Sequence, residues 1–318
     1  MLHAYRAKGP KLERLAADEP LEGAAWIDLY RPQEAQVDAV QALGVEVPTL
    51  ADMEEIEISN RLYREDGIDY MTVVLPGMSY TREPVTGPVT FILASRRIVT
   101  VRHHNPRPFE TYPERADKVG PGCMDPERIF LSLVEEITGR LADLLENAGR
   151  GLDDIAREVY GEATARSEAL MLALRRIGRE GEQIGRVRLA LMTTERMISW
   201  FGQSLVDGHR GVGLQPLVKG LMRDLKALEV HADFLSTRVA LATDATLGMI
   251  NLSQNQTIKI VSVVAVVFLP PTVIASAYGM NFHHMPELDW VFGYPMALAL
   301  MVASAVGTFL FFKWKKWL

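Results

Sequence analysis

Two stretches near the C-terminal end limit the folds open to this chain more than any other feature. Ile260 to Tyr278 runs nineteen residues without a charged side chain, and Trp290 to Phe312 runs twenty-three. About 20 apolar residues in a helix cover the hydrocarbon core of a bilayer. Both stretches are long enough, and only Gly279 to Asp289 lies between them. A helix buried in a soluble core normally keeps a polar face, and these keep almost none. They read as a transmembrane hairpin rather than as a pair of core helices.

The flanks orient it. The chain ends Lys313-Trp314-Lys315-Lys316-Trp317-Leu318, and Lys259 borders the first span on the same side. Lysines beside a span favour the cytoplasm, and tryptophans settle at the interface. The expectation is a multi-pass protein of the cytoplasmic (inner) membrane with both termini inside and the Gly279–Asp289 loop outside. The N-terminus lacks a basic start followed by an apolar run, so no cleavable signal peptide is expected.

Charge then divides unevenly. The net formal charge is -6. After residue 257 the charged groups are Lys259, Lys313, Lys315, Lys316, Glu287 and Asp289, which leaves -8 on the remaining 257 residues. An acidic interior part disfavours nucleic acid and anionic lipid headgroups and suits cations. The single cysteine, Cys123, excludes a disulfide framework or a multi-cysteine zinc site within one chain.

Residues 1–120 mix strand-like and helical runs and read as an α/β domain. Ala25–Leu29, Tyr70–Leu75, Val89–Leu93 and Ile98–Val101 are rich in β-branched and aromatic residues, the last two flanking Ser95-Arg96-Arg97 as a hairpin. Pro32 to Leu43 has helical spacing, with Val37, Val40 and Leu43 on one side. Residues 121–215 read as a helical region, with a helical pattern from Pro126 to about Phe201. Gly208 to Gly213 breaks it, and Pro216 restarts a helix at a position that tolerates proline. Leu221, Leu225, Leu228, Ala232, Leu235 and Val239 then follow four-three spacing, a coiled-coil-like seam. No stop signal intervenes before the first span. The predicted order is a stalk helix over 216–257, continuous with a transmembrane helix over 258–278, a loop over 279–290, a second span over 291–312 and a basic tail over 313–318. One helix from Pro216 to Tyr278 would be roughly 94 Å long.

A second stripe on that helix is polar or small at most positions. Asp244, Gly248, Asn251, Asn255, Ile258, Ser262, Ala265, Leu269, Thr272, Ser276 and Gly279 alternate in four-three steps and share one face of a supercoiled helix. Close helix packing uses such residues, and so does a water-lined pore. A pore requires several copies in closed rotational symmetry, because one hairpin encloses nothing. Pro270-Pro271, mid-span, removes two backbone donors and frees carbonyls that must be buried in protein or face water.

The stripe ends at Tyr278-Gly279-Met280-Asn281-Phe282, followed by Met285-Pro286-Glu287-Leu288 and by Gly293-Tyr294-Pro295 at the start of the second span. With the terminal Lys-Lys-Trp-Leu, these motifs resemble the CorA family of magnesium channels. The likeness is densest from about Leu247 to Leu318, and extends to Pro48-Thr49 through Tyr63, which holds Met53-Glu54-Glu55-Ile56-Glu57-Ile58-Ser59. The resemblance implies a homopentameric funnel with an α/β cytoplasmic domain, long helices and a pore lined by the first span.

It further implies a selectivity filter at Gly279, Met280 and Asn281, with five Asn281 amides ringing the outer mouth. Mg2+ dehydrates reluctantly, and neutral amide oxygens bind its waters without stripping them and release the ion readily. The matching pore positions are Asn255, Ile258, Val261, Leu269 and Thr272, and Ser262 and Ser276 share the stripe. Asn255 and Thr272 would offer oxygens. Ile258, Val261 and Leu269 would form apolar collars, although Val261 lies beside the stripe. Glu287 and Asp289 read either as acidic rings that concentrate cations or as an ordinary solvated loop.

Family members close when cytoplasmic Mg2+ bridges carboxylates between subunits. Asp224 and Asp244 are the matching candidates, with Asp66, Asp69 or Glu83 as partner; a solvated helix carboxylate is the other reading of Asp224. His283-His284 departs from the family pattern. Imidazoles favour Co2+, Ni2+ or Zn2+ over Mg2+ and protonate near pH 6.5, and loop variation is the plainer account. His103-His104 reads as structural. No enzyme motif stands out, and no cofactor is implied beyond transported and regulatory Mg2+. The expected partners are further copies of the chain, the bilayer and divalent cations. A ZntB-like zinc transporter of the same superfamily is the nearest alternative, and a non-conducting membrane-tethered scaffold the next. Met-Pro-Glu-Leu favours the magnesium branch.

Overall fold

The computed structural model describes residues 1–16, 18–55, 57, 61–161, 167–207, 213–280, 285–286 and 290–315. They form two compact units, Met1–Ala156 with Arg176–Ala242, and Arg157–Arg175 with Thr243–Leu318.

The first unit is built on a seven-stranded sheet. Its strands are β1 (Leu2–Lys8), β2 (Lys11–Arg14), β3 (Trp26–Tyr30), β4 (Leu62–Glu65), β5 (Ile68–Met78), β6 (Pro84–Leu93) and β7 (Ile98–Arg102). The spatial order is β2-β1-β3-β7-β6-β5-β4. β3 and β7 pair in parallel, and every other neighbouring pair is antiparallel. All four strands expected from β-branched content are present, and Leu93 faces Ile98 across the expected hairpin. Three strands carry weaker signals. β2 and β4 are short, charged and at the sheet edges, which discourages pairing with another chain.

Side chains alternate across the sheet, so each central strand feeds two cores. Trp26, Val73, Phe91 and Ile98 lie in one cluster, and Ile27, Leu29, Ile92 and Val99 in the other. The second cluster includes Val40 from α1 (Glu34–Gln41) and Met53 from α2 (Leu50–Glu54). The first takes in α3 (Pro108–Arg115) and two long helices, α4 (Pro126–Tyr160) and α5 (Ser167–Asp207). Ring contacts of 5.5 Å from Phe91 to Phe130 and 4.8 Å from Phe130 to Phe201 join sheet, α4 and α5. The helical pattern read as running from Pro126 to Phe201 is therefore two helices. Gly161, just beyond Tyr160, is the local sign of a helix end, and no proline marks it.

α6 (Gln215–Tyr278) is a single helix of 64 residues. In the first unit its seam is covered: Leu225, Ala232 and Leu235 are fully buried against α4 and α5, and Leu228 and Val239 partly so. In the second unit α6 continues unbroken through Pro270-Pro271. The carbonyls of Val266 and Val267, four residues earlier, thereby lose their amide partners. α6 stops where Gly279 begins the loop. α7 (Gly293–Trp314) has 22 residues, with Pro295 in its first turn where no amide donor is needed. Both helices are long and apolar enough to cross a membrane. Trp290 packs edge-on to Phe292 before α7, and at its other end Lys315 Nζ lies 5.8 Å from the ring of an exposed Trp314.

Candidate functional site

Within the second unit α6 presents two unlike faces. Val263 is buried, and Val267, Pro270, Pro271, Ile274 and Tyr278 are half-buried, which makes one covered stripe in three-to-four steps. The polar stripe read from the sequence lies about a quarter-turn away and is open, as are the apolar Val264, Val266, Phe268 and Val273 on the rest of the helix surface. Asn255, Ile258, Ser262, Leu269, Thr272, Ser276, Gly279 and Met280 are all exposed, as is Val261. Ile258, Val261 and Leu269 keep 62%, 63% and 64% of their surface. Among the described residues no contact within one chain covers this face. Thr272 uses its hydroxyl hydrogen on the Phe268 carbonyl, 2.7 Å away, so its oxygen remains an acceptor able to receive a hydrogen bond from an ion's water. Asn281, His283, His284, Glu287 and Asp289 lie outside the described residues.

The candidate regulatory carboxylates are not gathered in one chain. Asp224 is exposed, with Oδ1 3.6 Å from Nε of its neighbour Arg223, and Asp244 is exposed on α6. Of the three possible partners, Asp69 is already committed. It is buried, accepts from Arg64 at 2.5 and 2.8 Å and from Ser204 at 3.3 Å. Asp66 and Glu83 are exposed, in the turns before β5 and β6. Among the described residues no three His, Cys, Asp or Glu side chains gather to hold a metal.

Sequence reasoning missed one carboxylate pair. Glu195 on α5 meets Glu229 on α6, and burial followed by that contact raises the Glu195 pKa. Lys226 Nζ sits 2.9 Å from Glu229 and 4.0 Å from Glu195 and supplies the counter-charge. Lys226 and Glu229 are three residues apart and legible on a helix; the cross-helix partner is not. The structural reading of the paired histidines fits His104, which is buried with Nε2 2.8 Å from the Leu75 carbonyl.

Residues 22–315 match the family model described as CorA-like Mg2+ transporter protein. A magnesium transport protein CorA from Yersinia pseudotuberculosis is 35% identical over 329 residues, covering 100% of each chain. Among solved structures, the complete CorA magnesium transporter of Methanocaldococcus jannaschii aligns with a TM-score of 0.68 at 18% identity, over 100% of this chain and 99% of that one. The ZntB cytoplasmic domain of Vibrio parahaemolyticus aligns with a TM-score of 0.56 at 12% identity, over 77% of this chain and 96% of that one. These two likenesses are of fold alone.

Proposed function

The chain belongs to the CorA-like Mg2+ transporter family, and from that membership we propose that it is a homopentameric channel admitting Mg2+ into the cell, with Co2+ and Ni2+ as further permeants. The observation that carries the reading is the open stripe of α6. Lipid would not favour Asn255, Ser262, Thr272 and Ser276, and α6 and α7 of one chain leave them uncovered. Five copies around an axis would give each a watery lumen, with Ile258, Val261 and Leu269 narrowing it as apolar collars that gate by dewetting. Asn281 would ring the outer mouth and hold the ion through its waters, while Glu287 and Asp289 concentrate cations there. Both termini would lie inside. A divalent ion entering an inside-negative cell gains about 4.6 kcal/mol per 100 mV, so no ATP hydrolysis is needed.

Closure would come from internal Mg2+ bridging Asp224 and Asp244 to carboxylates of adjacent copies. Asp66 and Glu83 remain as exposed partners, whereas Asp69 is engaged by Arg64.

The deciding experiment uses liposomes loaded with a Mg2+ dye. Wild type should admit Mg2+, and Asn281→Ala should lose most uptake while keeping its fold by circular dichroism. A scaffold would tolerate the change. Competition by Co2+, Ni2+ and Zn2+ at pH 6 and 8 then ranks the permeants; a zinc signal without a magnesium signal would sink the magnesium reading. Protonated imidazole does not bind metal, so any soft-metal competition that depends on His283 and His284 should be weaker at pH 6 than at pH 8.

A further inference from the structure

The first unit holds a cavity of about 940 Å³ between the tip of the β5–β6 hairpin, the start of α3, and the flanks of α4 and α5. That volume is of the size that takes a small molecule. Arg82, Arg107, Arg140, Arg179 and Arg186 line it, from four different elements or their connecting turns. Only Glu110 and Glu182 answer them. Glu182 is bound by Arg186 at 2.5 Å, and Glu110 accepts from Asn105. The other four guanidinium groups have no ion pair among the described residues, although Arg140 is half-buried. Such crowding of like charge is unexpected on the acidic portion of the chain. Cations are repelled by it, so the transported ion does not account for it.

The rest of the lining is mostly apolar and aromatic, with Ser79, Asn105 and Gln183 as its uncharged polar side chains. At the hairpin lip Tyr80 is 74% exposed and Met78 48% exposed, with Leu144 and Val187 deeper. Arg31 lies over one face of the Tyr80 ring, 4.9 Å from its centre, and leaves the opposite face for a planar group. Arginine forks pair with phosphate oxygens in two-point contacts, and aromatic faces stack on bases. A ligand with several anionic charges at one end and a flat, weakly polar body at the other fits both halves.

We propose that this groove is a binding site for a nucleoside polyphosphate. The phosphates lie among Arg107, Arg140 and Arg179, and the base lies against Tyr80. Binding is independent of conduction, and is read without it.

The test is isothermal titration calorimetry on the full-length protein in detergent with EDTA present, using ATP, AMP and inorganic tripolyphosphate as probes. ATP should bind, and AMP and tripolyphosphate should each bind at least about tenfold more weakly, since each lacks one set of contacts. Arg179→Glu, at an exposed position, should weaken ATP at least about tenfold. Arg179→Lys should fall between, and Lys219→Glu, outside the groove, should leave affinity unchanged. Arg140→Glu should match Arg179→Glu, provided thermal unfolding is unaltered. Absence of ATP binding, or ATP binding indifferent to both arginine reversals, would overturn the proposal. Equal affinity for ATP and tripolyphosphate would overturn the nucleoside assignment. Arginine reversals that change the oligomer on size exclusion without touching ATP affinity would assign the groove to a second copy of the chain and overturn it too.

Discussion

His104 shows how burial alone fixes a side chain's chemistry. Its ring is sealed beneath β5 and β6, and desolvation pushes its pKa down to about 4 despite the hydrogen bond to Leu75. An unfolded histidine titrates near 6.5. Between those values the unfolded chain takes up a proton that the folded one refuses, so the stabilisation is complete above pH 6.5 and declines as pH falls toward 4. The loss is at most about 3 kcal/mol. Thermal unfolding of the purified protein from pH 7.5 to 4.5 should show a falling Tm, and His104→Gln should flatten that slope. His3 and His103, also lowered chiefly by burial, act in the same direction. Beside His104, Met78 and Asn105 exchange backbone hydrogen bonds of 3.0 and 2.9 Å. Gly77 makes that approach feasible: a Cβ there would stand 2.7 Å from the Pro106 nitrogen and 2.8 Å from the Asn105 carbonyl. Gly77→Ala should therefore lower stability by about 1–3 kcal/mol, seen as a reduced Tm at constant pH.

At the scale of elements, α6 joins two environments in one helix. Leu235 is buried within the first unit, and Leu235→Ala should cost about 2–5 kcal/mol by leaving a cavity. Denaturant unfolding followed at Trp26 and Trp200 would report it. This seam was legible because four-three apolar spacing is a property of one helix alone. The open stripe was legible for the same reason, and Gly279 gave the helix end. Other elements were not. β2 and β4 join β1 and β5 through tight turns at Gly9-Pro10 and Asp66-Gly67, but Lys11–Arg14 and Leu62–Glu65 are four residues long and carry only a charged, strand-neutral pattern. The division between α4 and α5 hides in a run with helical composition and only Gly161 as punctuation. The commitment of Asp69 to Arg64 and Ser204 was hidden too, because Ser204 is brought in by packing from a distant helix. Spacing on a helix reads out faces; it does not read out which helix another element meets.

At the scale of the whole molecule, the exposed face on α6 makes a specific accessibility prediction. Cys123, the only cysteine, is buried, so an introduced thiol reports against a quiet background. Leu269→Cys should react with water-soluble thiosulfonate reagents in open channels and form copper-catalysed cross-links between copies. Phe268→Cys, one position round the helix, should do neither if its side faces lipid. Equal reactivity at both positions would argue against a lumen lined by the stripe. The second span carries a different consequence. α7 has 22 residues, a rise of about 33 Å, and tryptophans at positions 290 and 314 stand beside or at its two ends. Interfacial tryptophans resist leaving the headgroup layer, and a span longer than the local hydrocarbon tilts. Acyl-chain length then becomes an input to this protein: thinning the bilayer leans α7 over, and the lipid itself becomes one of the quantities that set its shape.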